Sequence, residues 1–263
     1  MLSFWAACAA VEKHVQAGGK LLLLLDFDGT LAPIVARPER ATLPVPTRRV
    51  LRRLARRPGL VVGIVTGRAL ADLRRRVRIP GALYVGSHGL EYTLPGRRAV
   101  RLVNRACLHS LRQLRLRLGQ ELPRVAGLRL EVKPYSLALH YRGALPQRVR
   151  RVLRAARRLA AELAPALRLQ RGKKVAEFLP NLPVDKGKTV LAIVAQLRSQ
   201  CGGPLTPIYL GDDVTDEAVF RLLGQEGWTV RVGSLRGRTR ARYYLRSPAE
   251  VRRWLEWLAE VTQ

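Results

Sequence analysis

The 263-residue chain contains few cysteines, few aromatic residues and no long apolar run. Its three cysteines, Cys8, Cys107 and Cys201, are odd in number and far apart, so they do not suit the framework of a disulfide-rich secreted domain. No apolar run approaches the roughly 18 residues that indicate a membrane span. The apolar first ten residues lack the preceding basic stretch of a secretory signal. We therefore expect a cytoplasmic protein that does not associate with membranes.

Acidic residues are scarce as well. The 19 Asp and Glu residues face 48 Lys and Arg residues, which gives a net charge of +29 at pH 7. Such an excess is one signature of nucleic-acid binding. The arginines are spread along nearly the whole chain, however, and the few aromatic residues do not alternate with them to form a stacking platform. We favour a solvated cationic surface and a monomer without a nucleic-acid partner; a non-catalytic basic binding module is the alternative from another class.

Strands alternate with helices over most of the sequence, which predicts crossover connections and a mostly parallel sheet. Apolar runs of strand length are buried on both faces in such a sheet. The predicted fold is an α/β class, Rossmann-like open sheet. Its predicted helices span 3–17, 46–57, 69–77 and 215–223, and its predicted strands are Leu21–Leu25, Val61–Val65, Ala82–Val85, Pro207–Leu210 and Thr229–Val232.

The pattern changes between residues 105 and 182. Predicted helices at 107–119 and 147–163 each precede a pair of strands whose connections are too short for a parallel arrangement. The strands are Leu128–Lys133, Ser136–Arg142, 166–170 and 173–178, with a turn at Gly172. This αββαββ block predicts an inserted α+β cap domain at 105–182, within a core formed by residues 1–104 and 183–263.

Polar clusters directly follow three of the core strands. They are Asp26-Phe27-Asp28-Gly29-Thr30, Thr66-Gly67-Arg68 and Gly211-Asp212-Asp213-Val214-Thr215-Asp216. Ligands bind beyond the carboxyl ends of parallel strands, so the three clusters are expected to meet in one crevice. Five aspartates brought together require a cation, and carboxylate oxygens suit Mg²⁺. A divalent ion among carboxylates, with an Arg or Lys nearby, indicates phosphoryl transfer.

Each cluster alone has other interpretations. Asp-x-Asp-Gly also forms simple turns, and Thr66-Gly67-Arg68 alone could be a strand-to-helix turn. An EF-hand is excluded because Thr30 and Leu31 break the alternating ligand pattern. Gly187-Lys188-Thr189 resembles the end of a phosphate-binding P-loop, but Leu182 stands where the first glycine is required. Only the joint placement of the clusters favours phosphoryl transfer.

With Lys186, these clusters resemble, in order, the four motifs of haloacid-dehalogenase-type phosphatases. More narrowly, the chain is similar to the trehalose-6-phosphate phosphatase family from about residue 20 to its C-terminus. The narrower similarity is carried by Asp28–Ile34, Gly86–Glu91, Ser136–Arg142, Asp185–Gly187, Leu210–Glu217 and Ala241–Leu245. It implies hydrolysis of trehalose 6-phosphate; sucrose 6-phosphate and mannosyl-3-phosphoglycerate are the alternative substrates.

The resemblance also implies residue roles. Asp26 would be the nucleophile and Asp28 the general acid and base. Mg²⁺ would be held by Asp26, the Asp28 carbonyl and Asp212, with Asp213 and Asp216 orienting its waters or a neighbouring lysine. The Thr66 hydroxyl and the Gly67 amide would donate hydrogen bonds to the phosphoryl oxygens, and Lys186 would offset their charge. Phe27 and Arg68 would be further substrate contacts.

Sugar recognition would fall mainly to the inserted domain. The expected contacts are Glu131, Lys133, Arg142 and Glu177, with His88 and Glu91 added from the core. Two positions depart from the family pattern. Leu179 precedes Pro180 where relatives often have Arg, and Thr66 replaces the more usual Ser while keeping its hydroxyl.

Overall fold

The five leucines Leu21–Leu25 lie at the centre of a nine-stranded sheet in the computed structural model. The structure describes residues 1–121, 126–141, 143–163, 165–172, 174–234 and 237–262. The chain divides into two compact units: residues 1–101 with 184–263, and residues 102–183. The predicted inserted segment, 105–182, lies within the second unit.

The secondary structure of these residues comprises thirteen strands and eight α-helices. The strands are β1 (Leu2–Ser3), β2 (Lys20–Asp26), β3 (Leu60–Val65), β4 (Leu83–Gly86), β5 (Glu91–Thr93), β6 (Val100–Arg101), β7 (Arg129–Lys133), β8 (Ser136–His140), β9 (Leu167–Gly172), β10 (Val175–Pro180), β11 (Leu205–Gly211), β12 (Trp228–Val232) and β13 (Tyr243–Leu245). The helices are α1 (Cys8–Gln16), α2 (Val45–Leu54), α3 (Leu70–Val77), α4 (Arg105–Glu121), α5 (Pro146–Glu162), α6 (Lys186–Gln200), α7 (Glu217–Leu223) and α8 (Pro248–Val261).

The sheet of the first unit has the order β1-β13-β12-β11-β2-β3-β4-β5-β6. Every pair from β1 to β4 is parallel, and β5 and β6 extend the edge in antiparallel pairing. In the centre, Leu23 lies opposite Ile208 of β11 and Val62 of β3. The prediction of an open, mostly parallel α/β sheet is confirmed.

Alternate leucines of β2 enter two different apolar layers, because successive strand residues point to opposite faces. Leu21, Leu23 and Leu25 pack in the cluster that contains residues of α2, α3 and α8. Leu22 and Leu24 pack in the cluster that contains residues of α6 and α7. Burial on both faces explains why this strand reads as an unbroken apolar run.

The second unit is an antiparallel sheet, in the order β7-β8-β10-β9, with its two helices on one face. Leu137, Leu139 and Phe178 pack against residues of α4 and α5. The strand register places the polar side chains of Glu131, Lys133 and Glu177 on the opposite face. The sheet is therefore apolar where the helices cover it and polar on its other side.

Several predicted elements are wrong in detail. The segment predicted as one helix, 3–17, contains the end of β1, a 3₁₀ turn at Phe4–Ala7 and α1, because Leu2 and Ser3 pair with β13 and Phe4 stacks on Trp254 at 4.6 Å. The last hairpin lies later than predicted. Gly172 ends β9 instead of forming the turn, and Lys174, with a φ of +63°, takes the left-handed conformation there. None of the helices in the described residues has the length and apolarity needed to cross a membrane.

Candidate active site

Asp26 and Asp212 lie at the carboxyl ends of two neighbouring parallel strands. Asp26 is the last residue of β2, and Asp212 directly follows β11. Leu25, one residue before Asp26, pairs with Leu210, two residues before Asp212. Asp216, in the short 3₁₀ turn after β11, brings a third carboxylate. One oxygen from each of the three lies within 4.8 Å of the others. Asp26 and Asp216 are buried.

Lys186 supplies a cation to this cluster from the first residue of α6. Its Nζ donates to Asp26 Oδ1 at 2.7 Å and to Asp216 Oδ1 at 2.5 Å, and the side chain is only 3% exposed. The helix begins here because the Asp185 carboxylate accepts a hydrogen bond from the Lys188 amide at 2.8 Å. The N-cap therefore fixes the position from which Lys186 reaches the aspartates.

Asp216 is held by further donors. The Tyr209 hydroxyl donates to its Oδ1 at 2.6 Å, and the Asp213 amide donates to its Oδ2 at 2.9 Å. Asp213 itself is exposed; its described side-chain contacts are with Thr215 Oγ1 and with the backbone of the same turn. Of the two aspartates expected to orient a lysine or metal waters, Asp216 therefore contacts the lysine, and Asp213 shapes the turn.

The cluster contains three carboxylates and one ammonium group, and the pKa values reflect this imbalance. Burial, followed by the charge of Asp216, raises the pKa of Asp26 well above its usual range despite the opposing effect of Lys186. Burial and Asp216 also raise the pKa of Asp212 to about 6. Burial alone would lower the pKa of Lys186, but Asp216 and Asp26 outweigh it and raise that pKa. A further positive charge would stabilise all three carboxylates in ionised form.

The surroundings fit a small divalent cation. Gly29 has a φ of +82°, and the Asp212 carboxylate lies so close to its α-carbon that a side chain has no space. Thr30 Oγ1 donates to Asp212 Oδ1 at 3.4 Å, so the turn after β2 closes against Asp212. The donors available here are carboxylate and backbone oxygens, which Mg²⁺ prefers. The residues present can therefore hold Mg²⁺.

The side chain of Asp28 has a different partner from that of Asp26. Arg68 binds both of its carboxylate oxygens, with Nε to Oδ2 and Nη2 to Oδ1 each at 2.6 Å. The guanidinium group also lies 5.4 Å from the centre of the Phe27 ring. That ring is fully buried in the core, so of the expected substrate contacts Phe27 can contribute only through its backbone.

Thr66 and Gly67 form the turn after β3. Thr66 is 2% exposed, and its hydroxyl accepts a hydrogen bond from the Arg68 amide at 3.3 Å. The imidazole of His88 lies against the Gly67 α-carbon and leaves no space for a side chain there. The His88 amide donates to the Thr66 carbonyl at 3.1 Å. His88 thus adjoins the expected phosphoryl-binding turn.

Comparison with known proteins decides the family. The model of the trehalose-phosphatase family matches residues 24–249, which include all the motif residues above. The chain belongs to the trehalose-phosphatase family.

Individual relatives agree with this assignment. The chain is 39% identical over 241 residues to a trehalose-phosphate phosphatase of Mycobacterium tuberculosis, covering 90% of this chain and 61% of the relative. It is 38% identical over 258 residues to that of Mycobacterium avium, covering 93% of this chain and 63% of the relative. The chain therefore spans a little over three fifths of the length of the curated relatives it matches.

Solved structures give the same fold. The trehalose-6-phosphate phosphatase of Aspergillus fumigatus is 28% identical with a TM-score of 0.68, and the match covers 96% of this chain and 97% of that one. The C-terminal domain of the Candida albicans enzyme has a TM-score of 0.77 at 24% identity, covering 97% of both chains, and this likeness concerns the fold alone.

Within this trehalose-phosphatase fold, Glu91, one of the expected sugar contacts, makes its described hydrogen bonds to the start of α3 and to the turn after β4. It is buried, and its Oε1 accepts hydrogen bonds from the Leu70 amide and the Ser87 hydroxyl, both at 2.8 Å. Leu70 is the first residue of α3. The described hydrogen bonds of Glu91 therefore cap that helix and fix the turn that carries His88.

The residues expected to bind sugar in the second unit share the polar face of its sheet. Lys133 Nζ donates to Glu177 Oε1 at 2.9 Å, and Ser136 Oγ donates to the same oxygen at 2.7 Å. Glu131 Oε2 lies 2.7 Å from His140 Nε2. Arg142 lies outside the described residues. The expected contacts Glu131, Lys133 and Glu177 thus share one polar face with Ser136 and His140, in two hydrogen-bonded groups.

Three site residues were not among those predicted from the sequence: Ser136, His140 and Tyr209. Tyr209 had one available signal, since it is a hydroxyl-bearing residue two positions before Gly211 in an apolar strand. A buried hydroxyl needs a partner, and a partner near Asp212 was the natural expectation. Ser136 and His140 lie within the family-like segment Ser136–Arg142, and their alternation with the apolar residues of β8 indicated the same face as Glu131.

Proposed function

We propose that this chain hydrolyses trehalose 6-phosphate to trehalose and inorganic phosphate, with Asp26 as the nucleophile. The observation that carries the proposal is the buried contact of Asp26 with Lys186 beside Asp212 and Asp216. Family membership supports the substrate. A carboxylate held by an ammonium group at the end of a parallel strand is positioned for attack on a phosphoryl group.

In the first step, a carboxylate oxygen of Asp26 attacks phosphorus and forms an aspartyl-phosphate. The bond between phosphorus and the sugar oxygen breaks, and Asp28 gives its proton to that oxygen, so trehalose leaves neutral. In the second step, a water molecule attacks the same phosphorus and gives its proton to Asp28. The bond between phosphorus and Asp26 breaks, inorganic phosphate is released, and the free Asp26 carboxylate is regenerated.

The phosphoryl oxygens are bound by the turn after β3. The Thr66 hydroxyl and the Gly67 amide donate hydrogen bonds to them, and Lys186 offsets their negative charge. Mg²⁺, held by Asp26, the Asp28 carbonyl and Asp212, would supply electrostatic stabilisation of the charge that develops on the phosphoryl group. Lys186 also keeps Asp26 oriented while the aspartyl-phosphate forms and is broken.

The sugar hydroxyls are bound by the polar face of the second unit. Glu131, Lys133 and Glu177 offer charged donors and acceptors, which form stronger hydrogen bonds than neutral groups do. His88 adds a contact from the first unit. The net charge of +29 favours an anionic substrate at long range. Three free thiols support a cytoplasmic location, and we expect a monomer that does not bind nucleic acid.

Phosphate release from a panel of sugar phosphates tests the proposal. The panel contains trehalose 6-phosphate, sucrose 6-phosphate, mannosyl-3-phosphoglycerate and glucose 6-phosphate, each with Mg²⁺ and with chelator. We expect release from trehalose 6-phosphate alone, its loss with chelator, and no turnover by Asp26→Asn. The control is Glu226→Gln, an exposed residue paired with Arg198. Turnover by Asp26→Asn refutes the assignment of Asp26 as the nucleophile, and activity that survives chelation refutes the requirement for a metal. Preference for another sugar phosphate refutes trehalose 6-phosphate as the substrate.

A further inference from the structure

Asp28 is held by an arginine on both oxygens. The two 2.6 Å hydrogen bonds from Arg68 form a planar fork, the geometry that fixes the plane of a carboxylate as well as its position. The Asp28 side chain is 39% exposed, whereas that of Arg68 is 12% exposed. Solvent surrounds the aspartate more than the arginine, so its orientation depends on the fork.

The remaining terminal nitrogen of Arg68 contacts another carboxylate. Nη1 lies 3.3 Å from Oδ2 of Asp72, and the same oxygen accepts from Arg76 Nε at 2.7 Å. Arg76 in turn donates through Nη1 to the carbonyls of Ala41, at 2.6 Å, and Glu39, at 3.0 Å. Asp72 therefore connects the arginine that holds Asp28 to a second arginine anchored on backbone.

The sequence spacing explains this arrangement. Asp72 lies in the first turn of α3, four residues after Arg68 and four before Arg76, so the three side chains lie on one side of the chain. Burial opposes ionisation of Asp72, but Arg76 and Arg68 outweigh it and lower its pKa. Asp72 thus holds Arg68 and Arg76 as a charged carboxylate, and its other oxygen accepts from the exposed Arg75 at 3.4 Å.

We propose that Asp72 is a positioning residue for Asp28, acting through Arg68. A guanidinium group is rigid and planar, so a carboxylate that fixes Nη1 also fixes the plane in which Nε and Nη2 meet Asp28. This inference rests on the proposed function, since it assigns Asp72 to the proton-transfer step. It also gives Arg68 a role besides the expected substrate contact.

The role predicts a dependence on the leaving group. A sugar alkoxide needs a proton in order to leave, whereas p-nitrophenolate leaves without one. Displacement of a catalytic group by about 1 Å can cost on the order of 100-fold in rate. We therefore expect Asp72→Asn to slow trehalose release about 10- to 100-fold and p-nitrophenol release from p-nitrophenyl phosphate less than about 3-fold.

The test measures leaving-group release in a single turnover, with enzyme in excess, so that hydrolysis of the aspartyl-phosphate does not contribute. Steady-state assays with substrate in excess give kcat and KM for the same variants. Wild type, Asp72→Asn, Asp72→Ser and Asp72→Glu are compared with both substrates in Mg²⁺. The matched control is Glu250→Gln, which also changes a hydrogen-bonded acid in the first turn of a helix, α8. Circular dichroism and thermal unfolding establish that each variant is folded; if Asp72→Asn is not, Asp72→Ser, which also removes the carboxylate that contacts Arg68 Nη1, must show the same dependence.

The outcomes separate this inference from the function on which it rests. Selective loss with trehalose 6-phosphate, a kcat effect with KM changed less than about 2-fold, and recovery in Asp72→Glu support the positioning role. Equal loss of activity with both substrates, or no loss, refutes the positioning role of Asp72. The proposed function then still stands, because the wild type remains an active phosphatase. Should p-nitrophenyl phosphate prove inert with wild type, the kcat and KM values with recovery in Asp72→Glu decide. A wild type inactive on every phosphate ester refutes the function itself.

Discussion

Replacing Lys186 with methionine tests the electrostatic description of the site. Methionine keeps most of the length of the lysine side chain but removes the ammonium group that lies 2.7 Å from Asp26 and 2.5 Å from Asp216. Removing one partner of a buried ion pair costs about 3–5 kcal/mol, because the other charge is left without compensation. We expect Lys186→Met to lower the free energy of unfolding by about that amount and to abolish turnover.

Equilibrium unfolding in urea, followed by circular dichroism near neutral pH with chelator present, measures the loss. The control is Lys188→Met, because Lys188 is an exposed lysine in the same helix, and exposed substitutions change stability by roughly 0.5 kcal/mol or less. Millimolar Mg²⁺ should reduce the difference between the two variants, since a bound cation replaces the missing positive charge.

One result would refute this reasoning. If Lys186→Met unfolds within about 1 kcal/mol of Lys188→Met in chelator, the carboxylates do not depend on Lys186 for their charge balance. The three aspartates would then be neutral at rest, and the electrostatic case for a divalent cation would fail with them.

Two further predictions concern the polar face and α3. Glu177→Gln removes the charge that Lys133 contacts at 2.9 Å, so KM for trehalose 6-phosphate should rise about 3- to 10-fold with kcat within about 2-fold; an unchanged KM in initial-rate assays contradicts the sugar contact. Because the pKa of Asp72 is lower in the folded protein than in the unfolded chain, the ionised carboxylate stabilises the fold above about pH 4. This stabilisation is lost as the pH falls from about 4 through the folded-state pKa. Urea unfolding should therefore show Asp72→Asn about 1 kcal/mol less stable than wild type near pH 7, with a difference that shrinks toward pH 3, and a difference independent of pH speaks against a charged Asp72.

The elements that carry the motifs were predictable because their signals are local. A strand buried on both faces is continuously apolar, and the polar residue that ends the run marks the carboxyl end of the strand. Asp26 is the last residue of β2 as a result, and Asp212 directly follows β11. The parallel arrangement then places both at one edge of the sheet.

Several of the elements that were not predicted have weak local signals or depend on contacts distant in sequence. Helix α6 is apolar on several sides over Val190–Ala195, so its periodicity is weak. The two-residue strands β1 and β6 exist only through pairing with β13 and β5. A segment as short as Leu2–Ser3 carries no periodic signal, and the partner strand determines its conformation.

The partners of charged side chains were the least predictable part of the site. The sequence indicates that Asp28 and Arg68 both follow core strands, but not that Arg68 binds both oxygens of Asp28. Glu91 reads as a polar residue after a turn, and only the position of α3 shows that it caps that helix. A sequence shows which residues carry acidic, basic or metal-binding side chains, whereas the hydrogen-bond partners of those side chains depend on how whole helices and strands pack.

The few acidic residues of this chain are unevenly distributed, and their distribution bears on metal binding. All seven aspartates belong to the first unit, and each participates in the site or holds an element of it. Three form the carboxylate cluster, and the rest are Asp28 and Asp72 with Arg68, Asp185 at the N-cap of α6, and Asp213 in the turn of Asp216. A chain with a charge of +29 repels Mg²⁺ at long range and attracts a sugar phosphate. The proposed binding of Mg²⁺ would therefore depend on the short-range field of the clustered aspartates, so the density of carboxylates at one edge of the sheet would matter more than the overall charge.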